Sequence, residues 1–79
     1  MGTMLNLGKE LLRIDPNDSR KLQYSRNGGR GWMTRYPGHS STGDFQDLAD
    51  NGNEILATTS RGLFYAKKST GGSAWTRRS

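Results

Sequence analysis

The chain of 79 residues predicts an all-β, antiparallel domain of about six to seven short strands. Three observations carry that prediction. Short stretches of alternating apolar and polar residues recur along the chain, each ended by Gly, Asn or Pro. Eleven glycines and two prolines supply the residues that turns demand. One strand–turn–strand stretch, Tyr24 to Trp32, returns in degraded form from Tyr65 to Trp75. The reading is a single small domain, 1–79, with two repeat-like units at about 11–36 and 45–78 joined by a loop at 37–44.

Taken in order, Leu5 and Leu7 alternate, as do Leu12 and Ile14, so two short strands flanking Gly8-Lys9 are open. Leu7, Leu11 and Leu12 also fit a helical face; strand is the preferred reading for Glu10 to Ile14. Asp15-Pro16-Asn17-Asp18-Ser19 is the strongest turn signal, because proline presets one dihedral and the Asx side chains bond the local backbone. Lys21 to Arg26 alternates, with Leu22 and Tyr24 on one face and Lys21, Gln23 and Ser25 on the other. Asn27-Gly28-Gly29 tolerates the positive φ of a tight hairpin. Trp32, Thr34 and Tyr36 then share one face of the next strand, with Met33 and Arg35 opposite. His39 to Gly43 is a polar loop.

Asp44 to Asn51 is ambiguous. Phe45, Leu48 and Ala49 fall at helical spacing behind a possible cap at Thr42 or Asp44; Phe45, Asp47 and Ala49 would instead line one face of a strand. Ile55 to Thr59 is rich in β-branched residues, Leu63 to Lys67 alternates, and Ala74 to Arg77 follows the Thr70-Gly71-Gly72 turn, so all three read as strands.

Composition narrows the setting. Apolar residues make up 30% of the chain, and a domain this small buries only about 60% of the surface that its unfolded form exposes. With no cysteine there are no disulfides to help, so self-association is an expected source of stability. The lack of cysteine fits a reducing compartment, and a cytoplasmic location is the default expectation, although bacterial and phage domains outside the cell also do without disulfides. Twelve Lys and Arg against seven Asp and Glu give +5, which favours phosphates, anionic glycans or headgroups, yet the basic residues are scattered and run at most in pairs. No apolar run is long enough for a transmembrane helix, Met1 to Leu12 lacks the pattern of a signal peptide, and Met1-Gly2-Thr3 allows a cloning scar ahead of a native Met4. Membrane insertion is therefore not expected.

The repeat has a period. Trp75 follows Trp32 by 43 residues, and Gly71-Gly72 follow Gly28-Gly29 by the same 43. A period of about 40–45 residues is that of a four-stranded propeller blade. Ser25-Arg26-Asn27-Gly28-Gly29-Arg30-Gly31-Trp32 resembles the Asp-box, or BNR, repeat (Ser-x-Asp-Gly-Gly-x-Thr-Trp) of sialidase and sortilin-type β-propellers. Ile14-Asp15-Pro16-Asn17-Asp18 looks like the lead-in of such repeats, and Ile55 to Tyr65 is similar to the segment that precedes the box. The pattern is degenerate. Asn27 stands for the aspartate, Thr70 stands before the second glycine pair, Gly31 and Ala74 replace the threonine, and the first copy lacks the extra hairpin of the second. The resemblance implies a structural motif: Asn27, Gly28, Gly29, Gly71 and Gly72 shape turns, and the tryptophans pack between neighbouring sheets.

A propeller needs about four to eight blades and this chain supplies at most two. The chain is thus read as part of a homo-oligomeric ring, as a compact barrel or sandwich, or as a fragment of something longer.

Catalysis finds little footing. His39 is the only histidine; it stands beside Ser40 and Ser41, and a His–Ser pair needs an orienting acid, with Asp44 and Asp47 near only in sequence. Asp44, Asp47 and Asp50 would share a helical face but lack a calcium-loop pattern, and zinc lacks its clustered His and Cys. Asn27 to Gly31 lacks the Lys-Ser/Thr ending of a phosphate loop. Sialidases spread an arginine triad, a tyrosine and a glutamate over a whole propeller, and no such set maps here. The expectation is a non-enzymatic module without cofactor or metal. Trp32, Tyr36, Tyr65 and Trp75, with Arg30, Arg35 and Arg77, are the candidate binding residues, for carbohydrate or cell-surface recognition by a self-associating unit. The alternatives are a basic nucleic-acid-binding domain, with bases stacking on the same aromatics, and a phage or assembly subunit that binds only itself.

Overall fold

A computed structural model describes residues 4–78; the reading of Met1 to Thr3 lies outside them. Eight strands form two four-stranded antiparallel sheets, and in each sheet every strand pairs with its neighbour in sequence. The first sheet holds β1 (Met4–Asn6), β2 (Leu11–Ile14), β3 (Leu22–Ser25) and β4 (Met33–Tyr36). The second holds β5 (Phe45–Asp50), β6 (Glu54–Thr59), β7 (Gly62–Lys67) and β8 (Thr76–Arg77), with a 3-10 turn at Lys68–Thr70 between the last two. The fold class stands, with more strands than the six to seven expected.

The extra strand is β1. Gly8 turns the chain at φ 96, the Leu7 N–H donates to the Glu10 carbonyl at 2.9 Å, and Leu5 pairs with Leu12. The first unit thus has the hairpin that the repeat comparison gave only to the second.

Within the ambiguous stretch Asp44 to Asn51, Phe45–Asp50 is strand, and none of it is helix. Phe45 pairs with Thr59 and Asp47 with Thr58, so Gln46 is the extra residue of a β-bulge. The bulge returns Phe45 and Leu48 to one buried face although they are three residues apart. That is the spacing of a helical face, so the bulge mimics a helix in sequence.

A second bulge corrects the facing of β4. Leu22 pairs with Tyr36 and Gln23 with Thr34, which leaves Arg35 as the extra residue. Tyr36 therefore turns inward beside Leu22, while Thr34 stays with Gln23 on the other face. Trp32, Thr34 and Tyr36 do not share a face.

Each sheet has an inner face, toward the other sheet, and an outer one. Leu12, Ile14 and Leu22 from the first sheet meet Phe45, Leu48, Ile55 and Ala57 from the second in one core. Leu12, Leu22 and Ile55 are fully buried, and each such aliphatic side chain contributes about 1.5–3 kcal/mol. Tyr36, Phe45 and Trp75 extend the core as an aromatic chain, with centroids 5.8 and 5.5 Å apart. The Tyr36 hydroxyl meets Thr42 Oγ1 at 2.6 Å, which satisfies a buried threonine.

Candidate functional site

The β3–β4 turn is held by its own side chains. The Ser25 hydroxyl donates to Asn27 Oδ1 at 2.8 Å and accepts the Gly29 N–H at 2.9 Å. Asn27 Oδ1 also accepts the Gly31 N–H at 2.9 Å. Asn27 thereby performs with an amide the acceptor role that an aspartate would fill, and Gly28 supplies the left-handed φ of 75. The β7–β8 turn is simpler. Thr70 Oγ1 donates to the Lys67 carbonyl at 2.8 Å and accepts the Gly72 N–H at 3.3 Å, and Gly71 takes φ 66. Under both tryptophans lies the second glycine of the pair. A Cβ on Gly29 would stand 3.6 Å from Trp32 Cζ2, and one on Gly72 would stand 3.4 Å from Trp75 Cζ2.

The candidate aromatics do not form one platform. Trp75 packs against the core, with its indole N–H on the Gly72 carbonyl at 2.8 Å, and Tyr36 is half-buried beside Phe45. Trp32 lies at the outer face of the first sheet, under the Arg13 guanidinium at 4.0 Å. Tyr65 lies on the outer face of the second, under Arg78 at 4.2 Å. Arg30 is exposed in the turn, and Arg77 is exposed on β8 opposite Phe64.

Arg35 is placed differently from the other candidates. Its Nη2 meets Glu10 Oε2 at 2.7 Å, its Nη1 donates to the Thr70 carbonyl of the second sheet at 3.3 Å, and its guanidinium lies 3.9 Å over the Tyr24 ring. Burial works to raise the Glu10 carboxyl, but the hydrogen bonds and charges of Arg35 and then Arg26 outweigh it and hold the group below its ordinary value. The arrangement is duplicated. Arg78 pairs with Glu54 at 3.0 Å and lies over Tyr65 as Arg35 lies over Tyr24. The two sets, Glu10–Tyr24–Arg35 and Glu54–Tyr65–Arg78, are 41 to 44 residues apart.

Strand register extends the match. Across the first sheet, Leu5, Leu12, Tyr24 and Met33 stand side by side; across the second, Ala49, Leu56, Tyr65 and Thr76 do. In the first row Leu12 is fully buried against the second sheet and Leu5 and Tyr24 are half-buried, while Met33, on the edge strand, is exposed. The second row faces outward, with Leu56 and Tyr65 half-exposed and Ala49 and Thr76 exposed. The sequence reading placed Tyr24 with Tyr65 in the repeat but did not single out Glu10, Glu54 and Arg78 as members of it. The 43-residue offset between Arg35 and Arg78 was the signal that could have found them.

A hollow of about 300 Å³ opens at the end of the first sheet, lined by Tyr24, Arg26, Asn27, Gly31, Trp32 and Met33. A second, of about 690 Å³, follows the Leu7–Glu10 turn between Arg26 and Lys68. His39 Nδ1 lies 2.6 Å from the Ser41 hydroxyl and accepts the Ser41 N–H, a contact confined to one exposed turn. Asp44 and Asp50 are on different partners, Ser19 and Lys68, so the helical acidic face does not form. Among the described residues no group of acidic and histidine side chains is placed to hold a metal ion, and no helix is long and apolar enough to cross a membrane. Comparison with known proteins finds no match to a family model, to a curated protein or to a solved structure.

Proposed function

We propose that the chain is a non-enzymatic structural and binding module that works by associating with copies of itself through the outer faces of its two sheets. The observation that carries this reading is the outward row Ala49–Leu56–Tyr65–Thr76, whose Leu56 and Tyr65 stand in the register of Leu12 and Tyr24, the pair that packs toward the second sheet from the first. A face with that composition, on a cysteine-free domain with a small core, gains stability by being covered. The test is the solution mass by light scattering over a range of protein concentrations. The expected result is an oligomer of three or more chains; a constant monomer mass overturns the reading.

Carbohydrate recognition is the second reading, and the hollow beside Trp32 favours it. An indole, a phenol, an amide and a guanidinium converge there, which is the mixture that a sugar ring needs, in a space at the lower end of ligand-pocket sizes. Asn27 and Trp32 belong both to the hollow and to the outer face, so a glycan and a second copy compete. A glycan array read at monomeric dilution tests it, and binding no higher than background sets it aside. Nucleic-acid binding has less support, because the basic residues are scattered along the chain and run at most in pairs.

A further inference from the structure

Within one chain, a defined set of contacts joins the first sheet to the second. Trp75 packs against the core cluster that holds Leu12, and a Cβ on Gly72 would stand 3.2 Å from Leu12 Cδ2. Arg35 reaches over Gly71 to the Thr70 carbonyl, and fills the place where a Gly71 Cβ would stand. Every residue in that set has a counterpart in the repeat. Leu12 corresponds to Leu56, Arg35 to Arg78, Thr70 to Asn27, Gly71-Gly72 to Gly28-Gly29, and Trp75 to Trp32. The counterparts lie on opposite outer faces of the molecule, so they cannot meet within one chain.

Resting on the reading of self-association, we propose that the outer face of the second sheet of one copy docks on the outer face of the first sheet of a second copy, repeating between chains the contact that joins the sheets within one. Leu56 takes the place of Leu12 against Gly29 and Trp32. Arg78 takes the place of Arg35, and donates to the Asn27 carbonyl across Gly28. The notch that would receive Arg78 is open: nothing stands within 4 Å of a Cβ placed on Gly28, where at Gly71 the equivalent space holds Arg35; beside Gly29, Leu56 would meet Leu11, which stands 3.9 Å from a Cβ placed there. Arg78 is already aimed by Glu54 and Tyr65, as Arg35 is by Glu10 and Tyr24.

The contact is head-to-tail, because one copy offers a face that differs from the one it meets. Each chain then has one donor face and one acceptor face, and the series closes into a ring or runs on as a filament. The match is not complete in polarity. Where the inner face of the second sheet has Ala57 and Phe64, the outer face of the first has Arg13 and Gln23, hydrogen-bonded to each other at 2.9 Å. The contact between copies is therefore more polar than the one within a chain, and association depends on concentration.

Single-cysteine variants test the geometry, since the chain has no cysteine of its own. Leu56→Cys and Arg30→Cys are prepared separately in the full chain, mixed, and treated with a short thiol-reactive linker. The expected result is cross-linking in the mixture and little with either variant alone. Dominant cross-linking of Leu56→Cys to itself shows back-to-back pairing, which overturns this inference and leaves self-association standing. A monomer by light scattering, with no cross-link in any sample, overturns both. As a second measurement, Arg78→Ala is expected to weaken association about tenfold with an unchanged far-ultraviolet circular dichroism spectrum, the effect of losing one charge-assisted hydrogen bond. Unchanged association of that variant counts against the assigned role of Arg78.

Discussion

Arg35 and Glu10 form an ion pair with 2.7 Å between Nη2 and Oε2, and their side chains are only 12% and 14% exposed. Arg35 is the extra residue of the bulge in β4, and from there its side chain reaches both Glu10 and the Thr70 carbonyl of the second sheet. One side chain thus ties the start of β2 to a turn of the other sheet. Arg35→Ala is expected to destabilise the domain by about 1–3 kcal/mol, because it leaves a largely buried carboxylate with only the longer contact to exposed Arg26, at 3.4 Å. Urea denaturation of the variant beside the parent measures it.

The same pair predicts a pH dependence. The folded-state value of Glu10 is depressed below its ordinary 4.5, so its contribution is fully present above that value. It is lost as pH falls through the lower folded value. Asp50 acts in the same sense through Lys68 and the Gly52 N–H. Stability of the parent should therefore fall on acidification below about pH 4.5, and Glu10→Gln should fall less steeply, as read by denaturation midpoints from pH 3 to 7.

The paired glycines provide an internal control. Gly28 and Gly71 both take left-handed φ, at 75 and 66. Alanine at Gly28 meets nothing, so it costs only the backbone strain, about 1–2 kcal/mol. Alanine at Gly71 meets the Arg35 guanidinium and the Glu10 carboxylate as well, and should cost more. Thermal melts of dilute Gly28→Ala and Gly71→Ala test the order; equal losses would mean that Arg35 moves aside freely.

Ser25 is buried to 2% exposure and its hydroxyl serves the Asn27 amide oxygen and the Gly29 N–H at once. Ser25→Ala should cost about 1–2 kcal/mol. Asn27→Asp keeps the acceptor for the Gly31 N–H and should hold stability close to that of the parent. Differential scanning of the two variants separates a turn held by these bonds from one held by backbone alone.

Leu12 is fully buried between the sheets. Leu12→Ala should remove about 2–5 kcal/mol, a large part of the stability of so small a domain. The measurement is the midpoint of thermal unfolding, and a shift of only a degree or two would contradict the placement of the core.

Much of this fold was legible locally. Alternation marked β2, β3 and β7, because a half-buried strand exposes every second residue, and β-branched residues marked β6. Asn27-Gly28-Gly29 marked its hairpin, because few residues accept the left-handed backbone there. Both bulges stayed hidden. An inserted residue changes which side chains share a face, so Phe45 with Leu48 imitated a helix and Tyr36 was assigned to the face of Trp32. The ion pairs were hidden for another reason. Glu10 and Arg35 are 25 residues apart, and only the sheet register and the stacking of one sheet on the other bring them together. Amino-acid order determined the strands, the turns and the 43-residue repeat, each a matter of neighbours along the chain. Tertiary structure decided what covers each of the two half-buried tryptophans. Trp75 has the first sheet against it and Trp32 has no second sheet on its side, a difference made by the order of two units in space rather than by the residues beside them.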